Sequence, residues 1–267
     1  MNPYIKLPKV PIVYGRQDLI LTKCRGKRVL HLGCVDEGYL SERFERVELM
    51  HQKLATVSKE LWGVDIDEKG IEYLRGQGFE NLLVGDICAL GDVEPIRNRL
   101  FDTIVASEVM EHLQNPGLFL KAVKAFMAPG KTELIVTVPN AFRIDTLMWL
   151  FHRVEYVHPD HHYWFSYYTV THFLQKNGFH IEEVYVYSFN PVHISQAMSR
   201  RRARKKVQEE NGLTVEKTSF FSPSLKQTVT WIASLPRLFV SAVLLKINPF
   251  WGDGIIIVAR VNSYVIS

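Results

Sequence analysis

Four short apolar runs, each stopped by a glycine or a carboxylate, follow one another through the first half of the chain. They are VLHLGC (Val29 to Cys34), LWGVDID (Leu61 to Asp67), NLLVGDI (Asn81 to Ile87) and FDTIVASEVMEHL (Phe101 to Leu113). Strands covered on both faces of a parallel sheet read as unbroken apolar runs, whereas half-exposed strands alternate. Ligands of such sheets bind beyond the carboxyl ends of the strands. The pattern predicts one ligand gripped by four successive strand tips.

The rest of the chain extends this pattern. Strands are expected near 28–33, 60–65, 80–84, 101–106, 132–138, 180–188 and 254–261. Helices are expected at 38–58, 67–77, 116–128, 141–152 and 167–177. Gly78, Pro129-Gly130 and Asn177-Gly178 supply helix stops. Strand–helix alternation argues for a parallel sheet with right-handed crossovers. Of the 267 residues, 47% are hydrophobic and 22% charged, which fits a single globular α/β domain and excludes a disordered chain. A net charge of +4 is too mild to indicate nucleic acid. Cys24, Cys34 and Cys88 form no C-x-x-C pair, so neither a disulfide framework nor a zinc knuckle is expected. The start, MNPYIKLPKVP, lacks the apolar core of a secretory signal, so a cytoplasmic setting is expected.

The expected organisation is a lead-in over 1–26, a core over 27–190 and 252–263, and an insertion over 191–251. Roughly sixty residues separate the last two strands, far beyond an ordinary connection. This insertion holds the basic run SRRRARKK (199–206) and an apolar stretch, Thr228 to Ile247, interrupted by Pro236, Arg237 and Lys246. Those interruptions argue against a spanning helix. Two readings stay open: a helix lying on a membrane surface, with its basic run on anionic headgroups, or a helical subdomain that packs on the core or makes a homodimer.

At the strand tips, Gly33 lets a ligand approach the backbone, and the helix after it offers free N–H donors. Gly33 and Gly38 alone do not make the G-x-G-x-x-G fingerprint, which counts against a dinucleotide oxidoreductase. Asp65 is placed to accept both hydroxyls of a ribose. Asp86 can accept an adenine amino group, with Ile87 against the ring. Asp67 reads as a helix N-cap.

These motifs, together with MAPGKTELIVTVPN and HHYWFSYYTVTHFLQKNGF, resemble the class I S-adenosylmethionine-dependent methyltransferases. The branch resembled includes the ubiquinone-biosynthesis O-methyltransferases and enzymes of glycan gene clusters. The resemblance runs from Lys27 to Phe189 and resumes at the last strand. It implies a Rossmann-like, seven-stranded, mostly parallel α/β sheet with an antiparallel last strand, and S-adenosyl-L-methionine as cofactor. It implies cofactor contacts at His31, Gly33, Asp65, Ile66, Asp86, Ile87, Ser107 and Glu108. The chain departs from the family where His31 replaces an acidic residue and where the loop after Gly33 lacks its second glycine. Asp36 and Glu37 are the carboxylates at hand to replace the missing one.

Methyl transfer from a sulfonium is an in-line displacement in which the protein mainly positions the partners, with a general base for an oxygen acceptor. Two clusters can supply that base. One is Glu108-x-x-Glu111-His112, read as a single helical turn; the other is His158-Pro159-Asp160-His161-His162. Joined, two carboxylates and two imidazoles have the chemistry of a metal site, as in small-RNA 2′-O-methyltransferases. The reading adopted is metal-free, with His161, His112 and Glu111 as catalytic residues. The expected function is O-methylation of a small-molecule, glycan or lipid-linked acceptor, with RNA disfavoured. The rivals are a metal-assisted RNA 2′-O-methyltransferase and a non-catalytic scaffold that retains the fold.

Overall fold

The apolar runs become the centre of one eight-stranded sheet in a computed structural model that describes residues 4–36, 40–188 and 243–262. In chain order the strands are β1 (Ile12–Tyr14), β2 (Arg28–Leu32), β3 (Glu60–Asp65), β4 (Leu82–Val84), β5 (Thr103–Ser107), β6 (Glu133–Pro139), β7 (Phe179–Ser188) and β8 (Gly254–Val261). Across the sheet they run β1-β7-β8-β6-β5-β2-β3-β4. Every neighbouring pair is parallel except the two made by β8, which lies antiparallel between β6 and β7. The mostly parallel sheet with an antiparallel last strand is therefore present, with eight strands where seven were expected. The extra strand is β1, which pairs with the far edge of β7 through Ile12↔Val186.

The strand order reverses at β2, which has β3 on one side and β5 on the other. A crevice opens beyond the strand ends at such a point, because the two connecting helices leave on opposite faces. Here its walls carry Gly33 and Ser107.

The helices are α1 (Arg16–Cys24), α2 (Leu40–Glu45), α3 (Met50–Ala55), α4 (Glu68–Gly76), α5 (Pro116–Lys124), α6 (Ile144–Leu150) and α7 (Tyr167–Lys176). They cover both faces, which explains the unbroken apolar strands. Leu30, Ile104, Leu134 and Ile257 face Phe119, Val123, Val170 and Leu174 of α5 and α7. Val29, Val105, Ile135 and Ile256 face Ile20 and Cys24 of α1 and Met50 and Leu54 of α3. Neighbouring residues on a strand thus serve opposite cores, as the period of two requires.

Two local expectations change. The helix expected at 38–58 is broken into α2 and α3 at Val47, whose φ of 57° no continuing helix allows. The lead-in also carries structure: α1 buries Ile20 and Cys24 completely. Positions 191–242 of the expected insertion, including the basic run 199–206, lie outside the described residues. So do Glu37 and Gly38. Among the described residues no helix is long and apolar enough to cross a membrane.

Candidate functional site

Gly33 leaves β2 with φ +69°, and its N–H donates to the Val64 carbonyl at 2.9 Å. A β-carbon built there would stand 2.5 Å from Val109 Cγ2. Only glycine therefore fits between the tip of β2 and the loop after β5. The next turn is held from β3: the Asp65 carboxylate accepts the Val35 N–H at 2.8 Å and the Asp67 N–H at 3.0 Å. Burial raises the Asp65 carboxyl above its ordinary value, against the downward pull of the Asp67 and Val35 amides. Asp67 caps α4 through the Gly70 N–H, the role its position suggested.

Ile66, beside Asp65, is 74% exposed, an apolar side chain at the crevice. Asp86 is exposed, and its Oδ1 accepts the Cys88 N–H at 2.8 Å. Ile87 points the other way, into the core with Leu90. Gly33, Asp65, Ile66 and Asp86 are thus brought to one end of the sheet.

His31 is placed differently. It is buried on the α3 side of β2, where its Nδ1 lies 3.3 Å from His51 Nδ1 and the two rings stack. Burial lowers both imidazoles to about 3. Gly63 makes the room, since a β-carbon there would meet His51 at 2.7 Å. No role is expected for His51 from the sequence; its signal there is Gly63 inside a buried strand, since such a glycine often marks a close approach.

Ser107 and Glu108 end β5 against β6. Ser107 Oγ is 3.0 Å from Thr137 Oγ1, and that hydroxyl donates to Glu108 Oε1 at 2.7 Å. Glu108 has a φ of 56°, so the chain turns sharply there. Its Oε2 accepts the Tyr187 hydroxyl at 3.0 Å and pairs with Arg16 at 3.2 Å. Burial opposes the Arg16 charge, yet Glu108 and Tyr187 hold its guanidinium above the ordinary arginine value. Burial first, then the Glu108 charge, raises the Tyr187 phenol well above its usual range. The expected single helical turn over Glu108, Glu111 and His112 is instead a short 3₁₀ turn at Met110–His112 that leaves Glu108 out. Arg16, Thr137 and Tyr187 were not legible as site residues, because each comes from a different element.

Glu111 is 1% exposed, and neither carboxyl oxygen has a hydrogen-bond partner among the described residues. Burial, then the Glu108 charge, raises it well above the ordinary carboxylate range. Its backbone carbonyl accepts the His162 N–H at 2.8 Å and so ties the 158–162 loop to the 3₁₀ turn. That link gathers three imidazoles. Ring centroids lie 4.6 Å apart for His112 and His161, 5.5 Å for His112 and His158, and 5.4 Å for His158 and His161. Burial, then the neighbouring His158, lowers His112; burial, then His112 and His158, lowers His161 to about 4. Both are neutral near pH 7.

The family described as a methyltransferase domain matches residues 15–184. The mitochondrial ubiquinone biosynthesis O-methyltransferase of Arabidopsis thaliana is 23% identical over 152 residues, 54% of this chain and 47% of that protein. Its counterpart from Bordetella parapertussis is 29% identical over 122 residues, 44% of this chain and 46% of that protein. The chain thus spans about half the length of the curated relatives it matches. A SAM-dependent methyltransferase from Archaeoglobus fulgidus superposes with a TM-score of 0.50 at 18% identity, covering 92% of this chain and 95% of that one, a likeness of fold.

Proposed function

The chain belongs to the methyltransferase domain family, and from that premise we propose that it transfers a methyl group from S-adenosyl-L-methionine to an oxygen of a small-molecule, glycan or lipid-linked acceptor. The observation that carries this reading is the crevice at the β2/β5 reversal. Gly33 there has no room for a side chain, and Asp65, Ile66 and Asp86 line up beyond the neighbouring strand ends.

The residues suit the cofactor. Asp65 offers a carboxylate to the ribose hydroxyls, the exposed Ile66 an apolar face to the adenine, and Asp86 an acceptor to its amine. Bound there, the cofactor supplies a methyl group on a positively charged sulfur. A hydroxyl that received that methyl group would have to give up its proton, so a base must stand beside it. One of the two neutral imidazoles, His161 or His112, would accept the hydroxyl's hydrogen bond, orient its oxygen and take that proton. Glu111, whose carboxyl has no hydrogen-bond partner among the described residues, is the carboxyl at hand for the other polar group of the acceptor or cofactor. On and after α6, exposed Met148, Leu150 and Phe151 favour an acceptor with an apolar part.

Titration calorimetry of S-adenosylhomocysteine tests the root of this reading. Wild type should bind saturably, and Asp65→Ala should lose at least about tenfold in affinity, the worth of roughly 1.4 kcal/mol. Absence of binding in folded wild type would overturn the proposal and leave a scaffold that keeps only the fold.

A further inference from the structure

The three imidazoles beyond β5 form a set that the sequence did not single out. His158 is exposed on the loop over His112, and of the carboxylates expected to share a metal site Glu108 is bound to Arg16 and Tyr187, so the gathered cluster is of imidazoles alone. We infer that His112, His158 and His161 form a binding site for a borderline transition-metal dication of the zinc or cobalt kind, held by imidazole nitrogen alone.

One ring nitrogen from each histidine lies within 4.8 Å of the other two. Tetrahedral zinc with bonds of about 2.0–2.1 Å spaces its nitrogens roughly 3.3 Å apart. The rings therefore need to close by an ångström or so, within reach of small side-chain rotations. The backbone already holds them in register. The His162 N–H donates to the Glu111 carbonyl at 2.8 Å, placing the loop over the turn that carries His112. The His161 N–H donates to the His158 carbonyl at 3.1 Å, closing a turn that turns both rings to one side.

The ligand atoms select the ion. Imidazole suits zinc, copper, iron and nickel, whereas magnesium takes oxygen ligands. Ligating histidines commonly give their second ring N–H to a carboxylate. In this structure His158 Nδ1 accepts the Asp160 N–H at 3.3 Å, with Asp160 Oδ2 3.6 Å away, so binding through Nε2 requires Nδ1 to take the proton and turn from that amide to the carboxylate. Three protein ligands leave a further position for water or an acceptor oxygen, the arrangement of catalytic rather than structural zinc. The site stands on side-chain geometry. Its use in holding an acceptor hydroxyl rests on the methyltransferase reading, and with the ion bound His112 and His161 act as its ligands in place of taking the hydroxyl's proton.

The test is titration of Co²⁺ into the untagged full chain after treatment with EDTA and dialysis, followed by visible spectroscopy, with Zn²⁺ competition by calorimetry. One equivalent should bind and give the strong visible bands of low-coordinate cobalt without a thiolate charge-transfer band. His158→Ala and His161→Ala should each weaken binding by at least about tenfold. His158 is exposed, so its variant should fold as wild type does. No saturable binding, or binding unchanged in His158→Ala, would overturn the inference. S-adenosylhomocysteine titrated into the same preparations keeps the two readings apart. Cofactor binding without metal binding would sink only the metal site, and the reverse would sink only the methyltransferase reading.

Discussion

At position 33 one missing side chain decides whether the crevice exists. The left-handed backbone there, φ +69°, costs a residue with a β-carbon about 1–3 kcal/mol, and that carbon would also press on Val109. Gly33→Ala should therefore lower stability by about 1–3 kcal/mol in urea unfolding and weaken S-adenosylhomocysteine binding as well. Ile66 gives the opposite signature. It is 74% exposed, so Ile66→Ala should leave stability within about 0.5 kcal/mol. The same substitution should cost about 1 kcal/mol of cofactor affinity by removing apolar cover. If both variants lost stability and affinity in parallel, Ile66 would be a structural residue and the placement of the adenine would be wrong.

Among the elements, the Arg16–Glu108–Tyr187 group joins α1, the end of β5 and the end of β7. Both charged side chains are mostly buried, so removing one strands the other. Arg16→Met should cost about 1–3 kcal/mol, the penalty for a charged group left short of a partner. Adding Glu108→Gln to that variant should recover part of the loss, with a coupling of about 0.5–3 kcal/mol in a double-mutant cycle. Strict additivity of the two substitutions would show that the pair contributes nothing. The same group marks where the sequence stops being readable. Long apolar runs disclosed β2, β3, β5, β6 and β8 within a residue or two, because burial on both faces writes itself into most positions. The three-residue β1 is too short for any period, so its segment reads as a lead-in. The break at Val47 and the turn at Glu108 rest on positive φ at residues that rarely adopt it, which spacing cannot reveal. Asp65 and Gly33 stood out because each punctuates a strand. Tyr187 and His51 did not, since their partners are far away in the chain.

For the whole molecule, the position of two neutral imidazoles inside the sheet–helix interface sets its response to acid. His31 on β2 and His51 on α3 are each lowered by burial to about 3, against 6.5 for a free imidazole. Below 6.5 the unfolded chain takes up two protons there, and the folded protein takes up none until the pH approaches 3. Their contribution to stability is complete above 6.5 and drains away as the pH falls from 6.5 toward 3. Each imidazole then costs on the order of 2 kcal/mol between pH 6.5 and about pH 5. Other groups pull on the same curve. Glu111, raised well above its ordinary value, binds a proton in the folded state and offsets part of the loss. The informative quantity is therefore a difference. Urea unfolding of wild type and of a His31→Leu, His51→Leu variant, followed from about pH 7.5 to about pH 5, cancels the common terms. Wild type should lose on the order of 4 kcal/mol more than the variant over that range. Parallel curves would mean that both imidazoles take up protons in the folded state as readily as in the unfolded chain.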